Sequence, residues 1–443
     1  MPRRIGGDPT GSRRADLERA FRAAVAAADP VEALAAHWPE PPAGRVIVLA
    51  LGKAGAAMAA AAEAHYAGRT ADVEGVALVP YGHDAATERI EVREAGHPVP
   101  DAAGVAGAEA LLAAAERAGE GDLVLVLVSG GGSALATAPD GLSLPALVRA
   151  TRALLASGAD IHEINAVRRR LDRVKGGRLA AAAHPAPTLA LAVSDVVGDA
   201  PLDIASGPTV ADPDGPERAL DVLARYEVDA PEARAALEAE RDGRRAGPPR
   251  PGDPRLARTE TRVVASGRQA LAAAERVLVD AGATLCLRLP EVTGDAREAG
   301  RAQAREVLAL LRTGRRIDGT PCRLPALLLS GGETTVRVRG SGRGGRNSTF
   351  ALALALALPD GAPVHALAAD SDGLDGAGGH AGAFVDPGLF DRLPRDEAQA
   401  LDAADDSYAA FARADALLVT GPTRTNVNDL RFVWIDPAEG GAP

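Results

Sequence analysis

Only two lysines, Lys53 and Lys175, stand among the 49 basic residues of this 443-residue chain, and only four asparagines, Asn165, Asn347, Asn426 and Asn428. All six lie in or beside glycine-rich or polar segments rather than well inside the alanine-rich stretches. An ammonium is a compact point charge and a guanidinium a planar fork, so the two do not exchange freely at a tight anion site. Where arginine serves almost everywhere, a surviving lysine marks a place that needs the point charge. Lys53 sits in Gly52-Lys53-Ala54-Gly55, a strand end meeting a helix start, where amides and an ammonium could hold a phosphate or carboxylate. Ser129-Gly130-Gly131-Gly132-Ser133 follows the apolar run Leu123 to Val128. Its three glycines let backbone amides converge on an anion, with a hydroxyl at each end. No GxxxxGK[ST] loop occurs in the chain.

The second half carries its own set. Residues 340–347, GSGRGGRN, formally contain GxGxxG, with Gly342 and Gly344 in the turn and Asn347 at its end. A dinucleotide fold is the obvious rival reading. The preceding Thr334 to Val338 alternates like an antiparallel arm rather than a central parallel strand, and Arg343 and Arg346 crowd the turn. Guanidinium groups there suit a triphosphate or the charge on a transferring phosphoryl group. Glu333 and Asp372, at the ends of strand-like runs, supply the hard oxygen donors that Mg²⁺ requires. Three further segments add polar groups. Asn165, Arg168 and Lys175 form a basic-polar set in EINAVRRRLDRVKGGR, Asp195 stands where a strand ends and a general base could sit, and Asn426 and Asn428 share a turn. His97, in Ala-Gly-His-Pro, reads as a turn or packing histidine.

The elements that must position these groups follow one rhythm: apolar strand, glycine turn, alanine-rich helix. Val46 to Leu51, Val73 to Val79, Leu123 to Val128 and Thr188 to Val193 read as strands, with helices between them. Continuous apolar strands alternating with helices predict a parallel sheet covered on both faces. The stretch from Glu240 to Glu260 is rich in Arg, Pro and Gly and reads as a connection between domains. Beyond it, Arg262 to Ala265, Thr284 to Leu289, Leu327 to Leu329, Val364 to Ala368 and Leu417 to Thr420 give a second series of strands. Two domains are expected, at 14–240 and 258–443.

Composition narrows the partners. The net charge of −11 argues against a nucleic-acid partner, which normally meets a basic face. No apolar run approaches the roughly 18 residues of a membrane span, and the N-terminus lacks the apolar core of a signal peptide. A cytoplasmic protein is expected, and a homodimer is compatible with the sequence. Cys286 and Cys322 show neither metal-ligand spacing nor a disulfide framework.

Taken together, the segments resemble the glycerate 2-kinases that carry a MOFRL-type C-terminal domain. The resemblance rests on GKAGAAMA (52–59), GHPVPD (96–101), SGGGSAL (129–135), GADIHEINAVRRRLDRVKGGRLA (158–180) and SDVVGDAPLDIASGPT (194–209). In the second half it rests on SGGETTVRVRGSGRGGRN (330–347), DSDGLDGAGGHAGAFVD (370–386) and TGPTRTNVNDLR (420–431). It departs at Asp172, where the family commonly has Ser, at Ser371, commonly Thr, and at Ser348-Thr349, often Gln-Glu. The resemblance implies two α/β domains, the first a Rossmann-like parallel sheet with helices on both faces and the second a smaller mixed-sheet domain, with the active site in the cleft between them. It implies ATP- and Mg²⁺-dependent phosphorylation of D-glycerate at its 2-hydroxyl. On this reading Ser129 to Ser133 and the 340–347 loop hold the nucleotide, Lys53 and Arg346 neutralise phosphoryl charge, and Glu333 or Asp372 holds the metal. Asp195 is the candidate base, with Asp372 its competitor. Asn165, Arg168 and Lys175 would bind the glycerate carboxylate, and Asn426 and Asn428 would line the substrate site. The rivals are an NAD(P)H-dependent hydroxypyruvate reductase and a non-catalytic module that senses a phosphorylated metabolite.

Overall fold

A computed structural model describes residues 9–69, 72–289, 291–338 and 340–437. The chain forms two compact units, one from Pro30 to Val264 and the other from the N-terminal helix through Asp29 together with the chain from Ala265 onward.

In the first unit, strands β1 (Val46–Leu51), β2 (Val73–Pro80), β3 (Ile90–Ala95), β4 (Leu123–Val128), β5 (Thr188–Val193) and β6 (Thr259–Ala265) form one sheet in the order β3-β2-β1-β4-β5-β6. β1 to β5 pair in parallel, with Val46 in register with both Val73 and Leu123. Every residue of β1, β4 and β5 is buried. Ile47, Leu49 and Leu51 share a core with Leu111, Leu112 and Ala115 of the helix Ala102–Glu116. The alternate residues Val46, Val48 and Ala50 are buried too, so both sheet faces are covered, as continuous apolar strands require. The strand order turns back between β1 and β4. In an open α/β sheet that switch point, at the carboxyl ends of the strands, is where ligands bind. Gly52-Lys53 and Ser129–Ser133 leave the sheet at those two ends.

The second unit holds a mixed sheet of β7 (Thr284–Leu289), β9 (Ala326–Ser330), β11 (Val364–Asp370), β12 (Gly382–Val385), β13 (Leu417–Leu418) and β14 (Asp429–Ile435), in the order β13-β12-β11-β14-β9-β7. β7 and β9 are parallel; the other pairings are antiparallel. The central strand, β14, was not apparent in the sequence because Asp429 and Arg431 interrupt its apolar run. Both are buried, and they pair with one another.

Four expectations need correction. The helix Pro9–Ala27 belongs with the second unit: it packs on the helix Gly267–Asp280, and Arg13 pairs with Asp436 and lies 4.0 Å over the Trp434 ring. The segment from 240 to 260 is no linker but a packed part of the first unit. Asp212 N donates to Pro249 O, Arg178 to Ala246 O, and Arg245 bridges Asp140 and Glu240. The expected arm from Thr334 to Val338 shrinks to β10 (Thr334–Thr335), which pairs in parallel with β8 (Gly294–Asp295). Its alternation covers no core: Thr334 turns its amide and hydroxyl to Asp429, and Val338 is 70% exposed. Finally, Cys286 and Cys322 do pair as a disulfide, with Cα atoms 5.7 Å apart.

Candidate active site

At the switch point of the first unit, the turn after β1 uses its own amides. Gly52 N donates to Leu78 O (3.1 Å), Lys53 N to Gly130 O (2.8 Å), Ala54 N to Ser129 Oγ (3.0 Å) and Gly55 N to Gly52 O (2.9 Å). The expectation that these amides hold an anion therefore narrows to the Lys53 side chain. Gly52 sits at φ +114, and a side chain there would collide with Ser129, so the tight join of the two turns needs glycine. Ser129 Oγ is thereby tied to the helix Gly55–Tyr66.

The turn after β4 differs. Among the described residues, the amides of Gly130, Gly131, Gly132 and Ser133 meet no protein acceptor. Gly131, at φ +86, leads into the short helix Gly132–Leu135. A side chain at Gly130 would strike the Asp195 carboxylate, and one at Gly131 would lie 3.0 Å from His97 Nε2 and 3.5 Å from Lys53 Cγ. Lys53, His97 and Asp195 thus border one concave stretch of backbone. Burial lowers the His97 pKa, with Lys53 and His83 pushing the same way, so the ring stays neutral near pH 7. Sequence reading took His97 for a turn or packing histidine, and the structure sets its ring beside Gly131. A histidine before proline carries no mark of the wall it will form.

Beside this lies a second pocket, lined by Ser133, Thr137, Arg168, Asp172, Lys175 and Pro98. Lys175 is fully buried, with Nζ 2.6 Å from Asp172 Oδ2 and 2.7 Å from Ala136 O. Burial pushes its pKa down while Asp172 opposes the shift. Its charge is spent inside the protein, on a partner that is one of the departures from the family pattern. Arg168 also has its pKa lowered by burial, yet among the described residues no carboxylate lies within ion-pair distance. Asn165 is buried and accepts from Ser206 Oγ at 2.9 Å while donating to Asp203 Oδ1 at 3.1 Å. Ser206 Oγ in turn lies 2.9 Å from Ser133 Oγ. Ala205, Ser206 and Gly207 run through left-handed backbone, at φ +50, +60 and +64. Two of them are not glycine, so strain is held next to the nest.

In the second unit Arg346 opens the helix Arg346–Ala357 and meets three carboxylates. Nε lies 2.6 Å from Asp429 Oδ1, one terminal nitrogen 2.6 Å from Glu333 and the other 2.7 Å from Asp370. Burial, together with Asp372 and Asp429 and against the pull of Arg346, pushes the Asp370 carboxyl up to about 7. The turn before this helix also uses its amides. Gly340 N donates to Asp405, Gly342 N to Ala404 O, Arg343 N to Asp406 and Gly345 N to Ser348 Oγ. Arg343 stacks 4.4 Å over the Tyr408 ring. Asn347 is buried and donates to Asp429 Oδ1, while its amide and that of Ser348 donate to Asp375. Of the expected nucleotide contacts in this loop, the Gly342 amide is thus engaged within the protein, while among the described residues the Gly344 amide meets no acceptor. Asn426 Oδ1 accepts from Asn428 N, and Asn428 O accepts from Ser371 N, which ties residues 420–429 to the Ser371–Asp372 turn.

Comparison with known proteins settles the family. A profile described as a domain of unknown function (DUF4147) matches residues 16–238, and the MOFRL family profile matches 326–429. The D-glycerate 2-kinase of Thermotoga maritima is 36% identical over 430 residues, 96% of this chain and 98% of that one. The crystal structure of a Thermotoga maritima glycerate kinase aligns with a TM-score of 0.84 at 35% identity, over 96% of this chain and all of that one. The chain belongs to the glycerate 2-kinase family. A protein of Agrobacterium vitis, provisionally named a hydroxypyruvate reductase, is also similar, at 45% identity over 96% of this chain and 95% of its own.

In this member of the glycerate 2-kinase family, Asp370 and Asp429 complete the acidic surround of Arg346; sequence reading took Asp370 only as part of an acidic segment and did not single out Asp429. Asp370 opens the quoted DSDG motif and Asp429 closes TNVND, so the signal was present. What was missing was the antiparallel pairing of β11 with β14, which sets the two opposite one another.

Proposed function

We propose that this protein is an ATP-dependent kinase that phosphorylates D-glycerate at its 2-hydroxyl, giving 2-phospho-D-glycerate and ADP. One observation carries the reading: among the described residues the four amides of Gly130–Ser133 meet no protein acceptor and lie at the switch point beside Lys53 and His97, while those of Gly52 to Gly55 in the first strand-helix turn are all engaged. A Rossmann reductase places the dinucleotide pyrophosphate on that first turn. Here its amides bind Leu78, Gly130, Ser129 and Gly52. In the formal GxGxxG at 340–345 the amides of Gly340, Gly342 and Arg343 are likewise engaged, at Ala404 to Asp406, and that of Gly345 at Ser348.

Phosphoryl transfer needs positioning and charge neutralisation more than covalent help. The Gly130–Ser133 amides bind terminal phosphate oxygens of the nucleotide, and Lys53 neutralises charge beside them. His97, held neutral, can donate a hydrogen bond there. Arg168 binds the glycerate carboxylate, since a half-buried guanidinium with no ion-pair partner among the described residues gains most from an anion. Asp195, on Gly130, takes the proton of the 2-hydroxyl as it attacks. Within the second unit, Arg346 is the group suited to neutralise phosphoryl charge through its terminal nitrogens. Asn165 acts one step back, holding Ser206 and through it Ser133. Asn426 and Asn428 shape the turn that carries Asp372.

Mg²⁺ in kinases is held by one or two carboxylates together with phosphate oxygens and waters, and it neutralises and orients those phosphates. Among the described residues no group of three or more His, Cys, Asp or Glu is arranged as a metal cage, and this mode needs none. Glu333 and Asp372 fit it as donors. ADP formation from ATP with D-glycerate, measured beside NADH or NADPH oxidation with hydroxypyruvate, tests the assignment. Nicotinamide turnover without ADP would overturn it.

A further inference from the structure

Asp429 is fully buried, and both of its oxygens are saturated. Oδ1 accepts from Arg346 Nε at 2.6 Å and from Asn347 Nδ2 at 2.8 Å. Oδ2 accepts from Thr334 N at 3.1 Å, from Thr334 Oγ1 at 3.3 Å and from the buried Arg431. The two other carboxylates on Arg346 are held less firmly. Among the described residues Glu333, half exposed, has no second cation, and Asp370, though buried and accepting the Asp372 amide at 3.1 Å, is crowded by neighbouring acids. Arg346 is therefore fixed by its inner nitrogen, while its two outer nitrogens rest on groups that can let go.

We propose that Asp429 is a positioning residue for phosphoryl transfer: it anchors Arg346 by Nε, so that the outer nitrogens can pass from Glu333 and Asp370 to phosphoryl oxygens without the side chain losing its place. The inference rests on the kinase reading above and assigns Asp429 no contact with substrate. A fork held at one tine keeps its plane, and the entropy of ordering a long side chain is met before the substrate arrives. A lysine at position 346 would keep the charge but lose the anchored nitrogen.

A double-mutant cycle on kcat separates this role from a purely structural one. Asp429→Asn is combined with Arg431→Gln, so that no buried charge is left alone. In the intact enzyme this pair of changes should lower kcat about 30-fold, with KM for glycerate within about twofold, and Arg346→Lys should lower kcat about 100-fold. Combined, they should fall no more than about threefold below Arg346→Lys alone, because the anchor then has nothing to hold. Thr334→Val, a milder change on Asp429 Oδ2, should show the same pattern at smaller size and carries the test if the first variant does not fold. Losses that multiply in the combined variants would overturn the positioning role while leaving the kinase reading intact. A wild-type protein without ATP-dependent turnover would sink the kinase reading itself.

Discussion

The Lys175 ammonium lies 2.6 Å from Oδ2 of Asp172, and both groups are buried. Asp172 also accepts the amides of Ala138 and Val174, so the pair closes a small internal network. Removing one charge strands the other. Lys175→Met should cost about 3–5 kcal/mol of stability by denaturant titration, and adding Asp172→Asn should recover much of it. If Lys175→Met instead leaves stability untouched and raises KM for glycerate, the lysine faces substrate after all.

Arg168 should behave in the opposite way. Among the described residues its half-buried guanidinium has no ion-pair partner, so Arg168→Met removes a burden from the folded state as well as a binding group. The expected result is unchanged or higher stability, with KM for glycerate raised about tenfold or more and kcat changed far less. Steady-state kinetics with varied glycerate checks it. An effect confined to KM for ATP would move Arg168 to the nucleotide.

Lys53 is tested by its most conservative replacement. Lys53 stands beside Gly131 and His97, and a planar guanidinium fork does not reproduce the point charge of an ammonium there. Lys53→Arg should lower kcat about 100-fold, the scale of a lost charge-stabilising donor, with little change in melting temperature. Turnover within about threefold of wild type would remove Lys53 from the chemistry.

Asp370 gives a pH signature. Burial, with Asp372 and Asp429, holds its folded pKa at about 7, above the unfolded value near 3.9. The folded state therefore binds this proton more readily than the unfolded state does. Its contribution is fully present below the unfolded pKa and is lost as pH rises toward 7, with a slope of up to about 1.4 kcal/mol per pH unit. Asp370→Asn should flatten stability between about pH 4 and 7. An unchanged slope would show that the carboxyl is not protonated in that window.

Much of the fold was readable because strand burial is written in runs: β1, β4, β5 and β7 have the bounds their apolar stretches predict. β14 was hidden because its two charges neutralise one another inside the sheet, which only the folded chain reveals. The site was readable as residue types and less so as roles. A glycine turn announces a nest, but not whether its amides are free. That depends on long-range partners: Ser129 for Ala54, and Ala404 to Asp406 for the 340–345 loop. The rarity of lysine marked two positions that matter, one on the surface of the nest and one in the interior beneath it.

The most direct test of the kinase assignment is the identity of the phosphorylated product. With ATP, Mg²⁺ and D-glycerate, ³¹P NMR of the reaction should show ADP and 2-phosphoglycerate in equal amounts. 3-Phosphoglycerate as the product, or no phosphoryl transfer to glycerate at all, would contradict the account.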